Sequence, residues 1–228
     1  VSRRRRSWLC GLIAALWLSG CATTEPPEVQ KLQARATYER GLAHWFRDKQ
    51  AGLALSAFQE AIALDGTVPV YHNTLGVLYL HQLLRPDLAL KAFQRATELD
   101  ANYAEAHLNT GTALAEMARW DEAVPAYRRA IALPTLPDPH VAHQNLGLAL
   151  YHLKQYREAE EALRFAISLE PRRAGPYYNL GLVLFAQGRT NDARLAFRQA
   201  IDLAPESDVG RAASGQLQTL GGGARPLP

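Results

Sequence analysis

The sequence predicts an all-α fold, a right-handed superhelical solenoid of repeated helix-turn-helix units, and three observations predict it. Glycines recur at Gly41, Gly76, Gly111, Gly147, Gly181 and Gly215, at steps of 35, 35, 36, 34 and 34 residues. A small-large-small trio follows each of the first five: Ala54-Phe58-Ala61, Ala89-Phe93-Ala96, Ala123-Tyr127-Ala130, Ala159-Leu163-Ala166 and Ala193-Phe197-Ala200. Pro171 and Pro205 stand where the second helices of their units would end, as proline commonly does past a helix terminus. Self-similarity at such a period is the signature of stacked repeats.

The chain has 228 residues, 48% of them hydrophobic and 21% charged, which is ordinary globular composition. Its first twenty residues combine a basic start, Arg3 to Arg6, an apolar run from Trp8 to Leu18 and a small-residue end, the layout of a signal peptide. Leu18-Ser19-Gly20-Cys21 resembles the bacterial lipobox, which implies cleavage before Cys21 and lipidation of its thiol. Ala22 in the next position implies, by the same resemblance, transfer to the outer membrane. Cys10 falls in the removed segment, so Cys21 is the one cysteine of the mature chain and no intrachain disulfide is expected. Loss of Arg3, Arg4, Arg5 and Arg6 takes the net charge from +3 to −1, and no basic patch with interleaved aromatics remains, so no nucleic acid is expected as a partner. Residues 21–33, with Pro26-Pro27, are expected to be the lipidated cysteine and a polar tether.

The repeats then run as units 34–68, 69–103, 104–139, 140–173 and 174–207, with 208–220 a partial sixth unit or closing helix and 221–228 a flexible tail. In each unit a first helix carries glycine where the second must approach, and the second presents Ala, a large apolar residue and Ala on one face. Unit three ends in Leu133-Pro134-Thr135-Leu136-Pro137-Asp138-Pro139, which is expected to widen or kink the joint to unit four, because proline cannot continue a helix. With Asn145-Leu146-Gly147 and Asn179-Leu180-Gly181, the pattern resembles the tetratricopeptide repeat, a helix-turn-helix unit of 34 residues. It departs from that family where the usual Trp before the repeat glycine is replaced by Thr37, His72, His107, His143 and Tyr177.

The resemblance implies that the first helices line a concave peptide-binding groove. Transferred position by position, the groove consists of Tyr38, Leu42, Trp45 and Phe46; Val70, Asn73, Val77, Leu80 and His81; Leu108 and Thr112; Gln144, Leu148, Tyr151 and His152; and Tyr178, Leu182 and Phe185. The set is apolar and aromatic, suited to an amphipathic helix or an extended apolar peptide. The aliphatics Leu42, Val77, Leu148 and Leu182 are equally explained by packing against the adjacent unit. The Lys and Asn clamp of chaperone-tail receptors of this fold is absent.

No catalytic constellation, cofactor motif or metal set stands out. His72, His107 and His143 share one repeat position, which marks them as packing residues, and His140 with His143 lacks a third ligand of the usual kind. The lipobox, the repeats and the long Pro-bearing step before His143-Gln144-Asn145-Leu146-Gly147 resemble the PilF, PilW and Tgl group of outer-membrane lipoproteins, the pilotins of the type IV pilus. That resemblance implies a protein client, secretin subunits held through an apolar segment, and membrane attachment through the N-terminal lipid. A lipoprotein adaptor recruiting cell-wall hydrolases or a periplasmic protease is the alternative reading.

Overall fold

The computed structural model describes residues 26–222; the signal segment, Cys21 and the last six residues lie outside them. Among the described residues eleven helices follow one another: α1 Pro27–Phe46, α2 Ala51–Leu64, α3 Pro69–His81, α4 Pro86–Leu99, α5 Ala104–Glu116, α6 Trp120–Ile131, α7 Pro139–His152, α8 Tyr156–Leu169, α9 Ala174–Ala186, α10 Thr190–Leu203 and α11 Asp208–Gly222. They pair as five hairpins, α1–α2 through α9–α10, each stacked on the next, with α11 closing the array. Pro27, Pro69, Pro86 and Pro139 occupy the first turns of their helices, where a missing N–H costs nothing. No described helix is long and apolar enough to cross a membrane.

The glycine-trio pattern is the packing rule of the hairpin. A Cβ on Gly41, Gly111, Gly147 or Gly181 would lie 2.5–2.6 Å from Phe58, Tyr127, Leu163 or Phe197, well inside contact distance. The flanking Ala54, Ala61, Ala89, Ala96, Ala123, Ala130, Ala159, Ala166, Ala193 and Ala200 are wholly buried, because the two helices approach too closely for anything larger. Gly215 is different. Nothing lies within 4 Å of its would-be Cβ, and among the described residues no helix packs on that face of α11. The face that such a helix would cover carries the polar residues Arg211, Ser214 and Gln218.

Three expectations are corrected. The tether does not extend to residue 33: Pro27 opens α1, Glu28 pairs with Lys31 at 3.0 Å, and the helix runs on into buried Ala34. The tail does not begin at 221, because α11 continues through Gly222. Nor is the joint between units three and four widened, since α6 and α7 pack as closely as the helices at the neighbouring joints α4–α5 and α8–α9. Leu133 and Leu136 turn inward onto Ala104, Ala130 and Ala142 and fill it, while Pro134 and Pro137 face solvent.

The turn inside each hairpin passes through a left-handed residue: Lys49, Leu84, Ala118, Lys154 and Gly188, with φ of 56°, 50°, 56°, 61° and 78°. Only the last is glycine. Leu84 is 76% exposed, so its side chain contributes little packing while its backbone carries the left-handed penalty. Leu84→Gly is expected to stabilise the protein by about 0.5–1 kcal/mol, the relief being partly offset by the entropy of glycine in the unfolded chain. Urea denaturation of the two proteins measures it.

Candidate functional site

The first helices α3, α5, α7 and α9, followed by α11, touch their successors directly and form one continuous wall. At the α1 end, Tyr38 stacks on Tyr71 with ring centres 4.6 Å apart and shares a 2.9 Å hydrogen bond with the Thr74 hydroxyl. Trp45 meets Phe58 edge-on and carries Phe46 stacked on it at 4.7 Å. Phe46 is 60% exposed, so this pair offers an aromatic platform whose lower ring is braced by the core. Trp45, Phe46, Lys49, Ala51 and Gln82 enclose a recess of about 200 Å³ there. At the other end of the wall Phe185, on α9, is 44% exposed.

Between them lies a cleft of about 340 Å³ formed by Thr112, Ala115, Glu116, Ala118, Trp120, Tyr127, Asn145 and Leu148. Trp120, at the start of α6, stacks flat on His152, with ring centres 4.0 Å apart and planes 9° from parallel. Tyr151 stands edge-on to the same imidazole at 5.5 Å. Burial pushes the Tyr127 hydroxyl up to about 12, while Glu116 places a carboxylate on the same cleft.

The predicted groove set divides. Phe46, Val70, His81, His152 and Phe185 are exposed, and Tyr38, Leu42, Trp45, Val77, Leu108, Thr112, Gln144, Leu148, Tyr151, Tyr178 and Leu182 are half-buried. Two residues do not belong to it. Leu80 is 5% exposed and belongs to one buried cluster with Leu90 and Phe93 of its own unit and Leu114 and Val124 of the following one. Asn73 is buried as a polar hub: its Nδ2 donates to the Tyr103 hydroxyl and to Glu105 Oε1, both at 3.2 Å, and its Oδ1 accepts from Asn109 Nδ2 at 3.0 Å. With every polar atom engaged, Asn73 fixes unit two to unit three.

Other members are braced rather than free. Gln144 lies over Gly175, whose would-be Cβ sits 3.0 Å from its Oε1. The Thr112 hydroxyl donates to the Leu108 carbonyl at 3.1 Å, and Tyr178 packs on Phe197 at 5.9 Å. Sequence reading missed Trp120, and a signal existed: Trp120 and Tyr156 are both aromatic at the first residue of a second helix.

The repeat histidines hold loops. His72 Nε2 bonds the Gly66 carbonyl at 3.0 Å and His107 Nε2 the Ala101 carbonyl at 3.1 Å, each reaching six residues back to the turn before its helix. His143, behind the irregular step, instead packs on the Phe165 ring at 4.4 Å. Among the described residues, no three His, Cys, Asp or Glu side chains gather as a metal would require.

Burial lowers the pKa of His143 and of His152. The unfolded chain therefore binds more protons as pH falls through about 6.5, and stability held above that value is lost below it. The urea midpoint is expected to fall between pH 7 and 5.5, and His143→Gln should flatten that slope. An unchanged slope in the variant would remove His143 from the account.

A model of the tetratricopeptide repeat family matches residues 76–137, 110–163 and 144–208, together more than half of the chain. Among solved structures the chain is similar to MamA, at 25% identity over 70% of this chain and 91% of that one, with a TM-score of 0.63. It is similar to YrrB, described as a tetratricopeptide protein with an unusual peptide-binding site, at 20% identity over 85% and 98%, with a TM-score of 0.68. It is similar also to PilW, described as a widely conserved type IV pilus biogenesis factor, at 18% identity over 84% and 95%, with a TM-score of 0.66. The last two likenesses show the fold alone.

Proposed function

The chain belongs to the tetratricopeptide repeat family, whose members are protein-binding scaffolds, and we propose that it serves as an outer-membrane-anchored pilotin that binds secretin subunits. The observation that carries this reading is the apolar wall of the first helices, with exposed aromatics at both ends and the Trp120 cleft between them. A wall of that kind suits an apolar or amphipathic client segment, with Phe46 and Phe185 as anchors that fold stability does not require. The lipobox resemblance at Cys21 supplies the anchor in this reading, and the pilus role rests on the sequence resemblance to the pilotin group, whose fold PilW shares with this chain.

Binding and delivery are separable in this scheme. Cys21→Ser is expected to leave secretin capture unchanged while abolishing at least about nine-tenths of the outer-membrane secretin multimers, because a single protein surface cannot replace acyl chains as an anchor. Fractionation of cells carrying each form measures both quantities. Normal multimers with the serine variant would contradict the delivery role.

A further inference from the structure

We infer that the first two turns of α1 rest on the phospholipid surface, with Val29 and Leu32 turned into the headgroup boundary. α1 has 20 residues, where the first helices of the other four hairpins have 13 or 14. The surplus lies at its start, and there Pro27, Glu28, Val29, Lys31, Leu32 and Gln33 are all exposed. With only Gln30 half-buried, the extension has little packing to hold it helical, since short helices draw their stability from tertiary contact. It nevertheless carries Val29 and Leu32 three residues apart on one face, with Leu32 68% exposed. Among the described residues, nothing covers the Leu32 side chain and Val29 is 39% exposed.

The occupant follows from the length of chain that precedes the helix. Only residues 22–26 separate Cys21 from Pro27, so even fully extended they hold the start of α1 within roughly 20 Å of the lipidated cysteine. The contact rests on the anchor reading, and it is apolar rather than electrostatic. Lys31 is paired with Glu28 and Arg35 with Glu39, each at 3.0 Å, which leaves little net charge for anionic lipids to attract. The result is an N-terminal hairpin laid against the bilayer rather than swinging on a free leash, which sets the direction in which the solenoid leaves the membrane.

The test uses the full chain, processed and lipidated in a Gram-negative host and reconstituted in vesicles of phosphatidylethanolamine, phosphatidylglycerol and cardiolipin. A nitroxide label is placed by Leu32→Cys, with Leu195→Cys on α10, 63% exposed, as the reference. Mass spectrometry of Cys21 and vesicle flotation establish the anchor first. The inference predicts that the label at 32 is about threefold or more less accessible to a water-soluble nickel chelate than the label at 195, and more accessible to oxygen. It predicts also that 0.5 M salt leaves this difference in place. Equal chelate access at the two positions in floated, lipidated protein overturns the inference and leaves the anchor intact. An unmodified Cys21 that does not float overturns the anchor reading, and the membrane contact with it.

Discussion

Gly76→Ala is expected to destabilise the protein by about 2–3 kcal/mol, whereas Gly215→Ala is expected to stabilise it by about 0.5–1 kcal/mol. The two glycines hold equivalent positions in the repeat, so propensity alone gives both substitutions the same sign. Packing separates them. A Cβ at Gly76 would overlap the Phe93 ring, with three of its atoms within 2.9 Å, and Phe93 is fully buried between Ala89 and Ala96 with nowhere to move. At Gly215 the same methyl meets open space. Because a solenoid's stability is built from neighbouring interfaces, the loss at Gly76 should broaden or split the unfolding transition rather than only shift it. Urea denaturation followed by circular dichroism gives both numbers, and equal responses would refute the packing account of the glycine spacing.

Phe46→Ala combined with Phe185→Ala is expected to weaken client binding by roughly a hundredfold while leaving the unfolding free energy within about 0.5 kcal/mol of the parent. Neither ring belongs to the core: Phe46 is 60% exposed on its Trp45 platform, and Phe185 is 44% exposed toward the far end of the wall. Truncation therefore removes contact area from the client without opening a cavity. Trp45→Ala and Tyr178→Ala would be poorer probes, because Trp45 braces Phe58 and Tyr178 packs on Phe197, and a binding loss there would mix with unfolding. Titration of a labelled secretin segment into each protein reads the affinity.

The repeats were legible because their packing rule is local and repeated five times: a glycine admits a large residue flanked by two alanines, and the spacing survives in the letters. The groove was less legible. Asn73 occupies a groove position, yet its partners Tyr103, Glu105 and Asn109 lie 30, 32 and 36 residues on, in the following unit. A within-unit reading sees an exposed amide where the stacked array makes a buried hub. Leu80 fails for a related reason: residues at its repeat position remain open as Phe185 does only where the next unit leaves room. The prolines after Leu133 suggested a break, but Leu133 and Leu136 fill the joint with apolar bulk, a compensation that turn chemistry alone does not reveal. The polar letters before Ala34 suggested a leash, while Pro27 at a helix start and the Glu28–Lys31 pair support a helix instead.

The most direct test of the central claim is capture from detergent-solubilised outer membranes by the full-length protein, beside the Phe46→Ala/Phe185→Ala form, with bound proteins identified by mass spectrometry. The account predicts a secretin recovered by the parent and lost from the double variant. Recovery of a cell-wall hydrolase or a protease in its place, or of secretin equally by both forms, would contradict it.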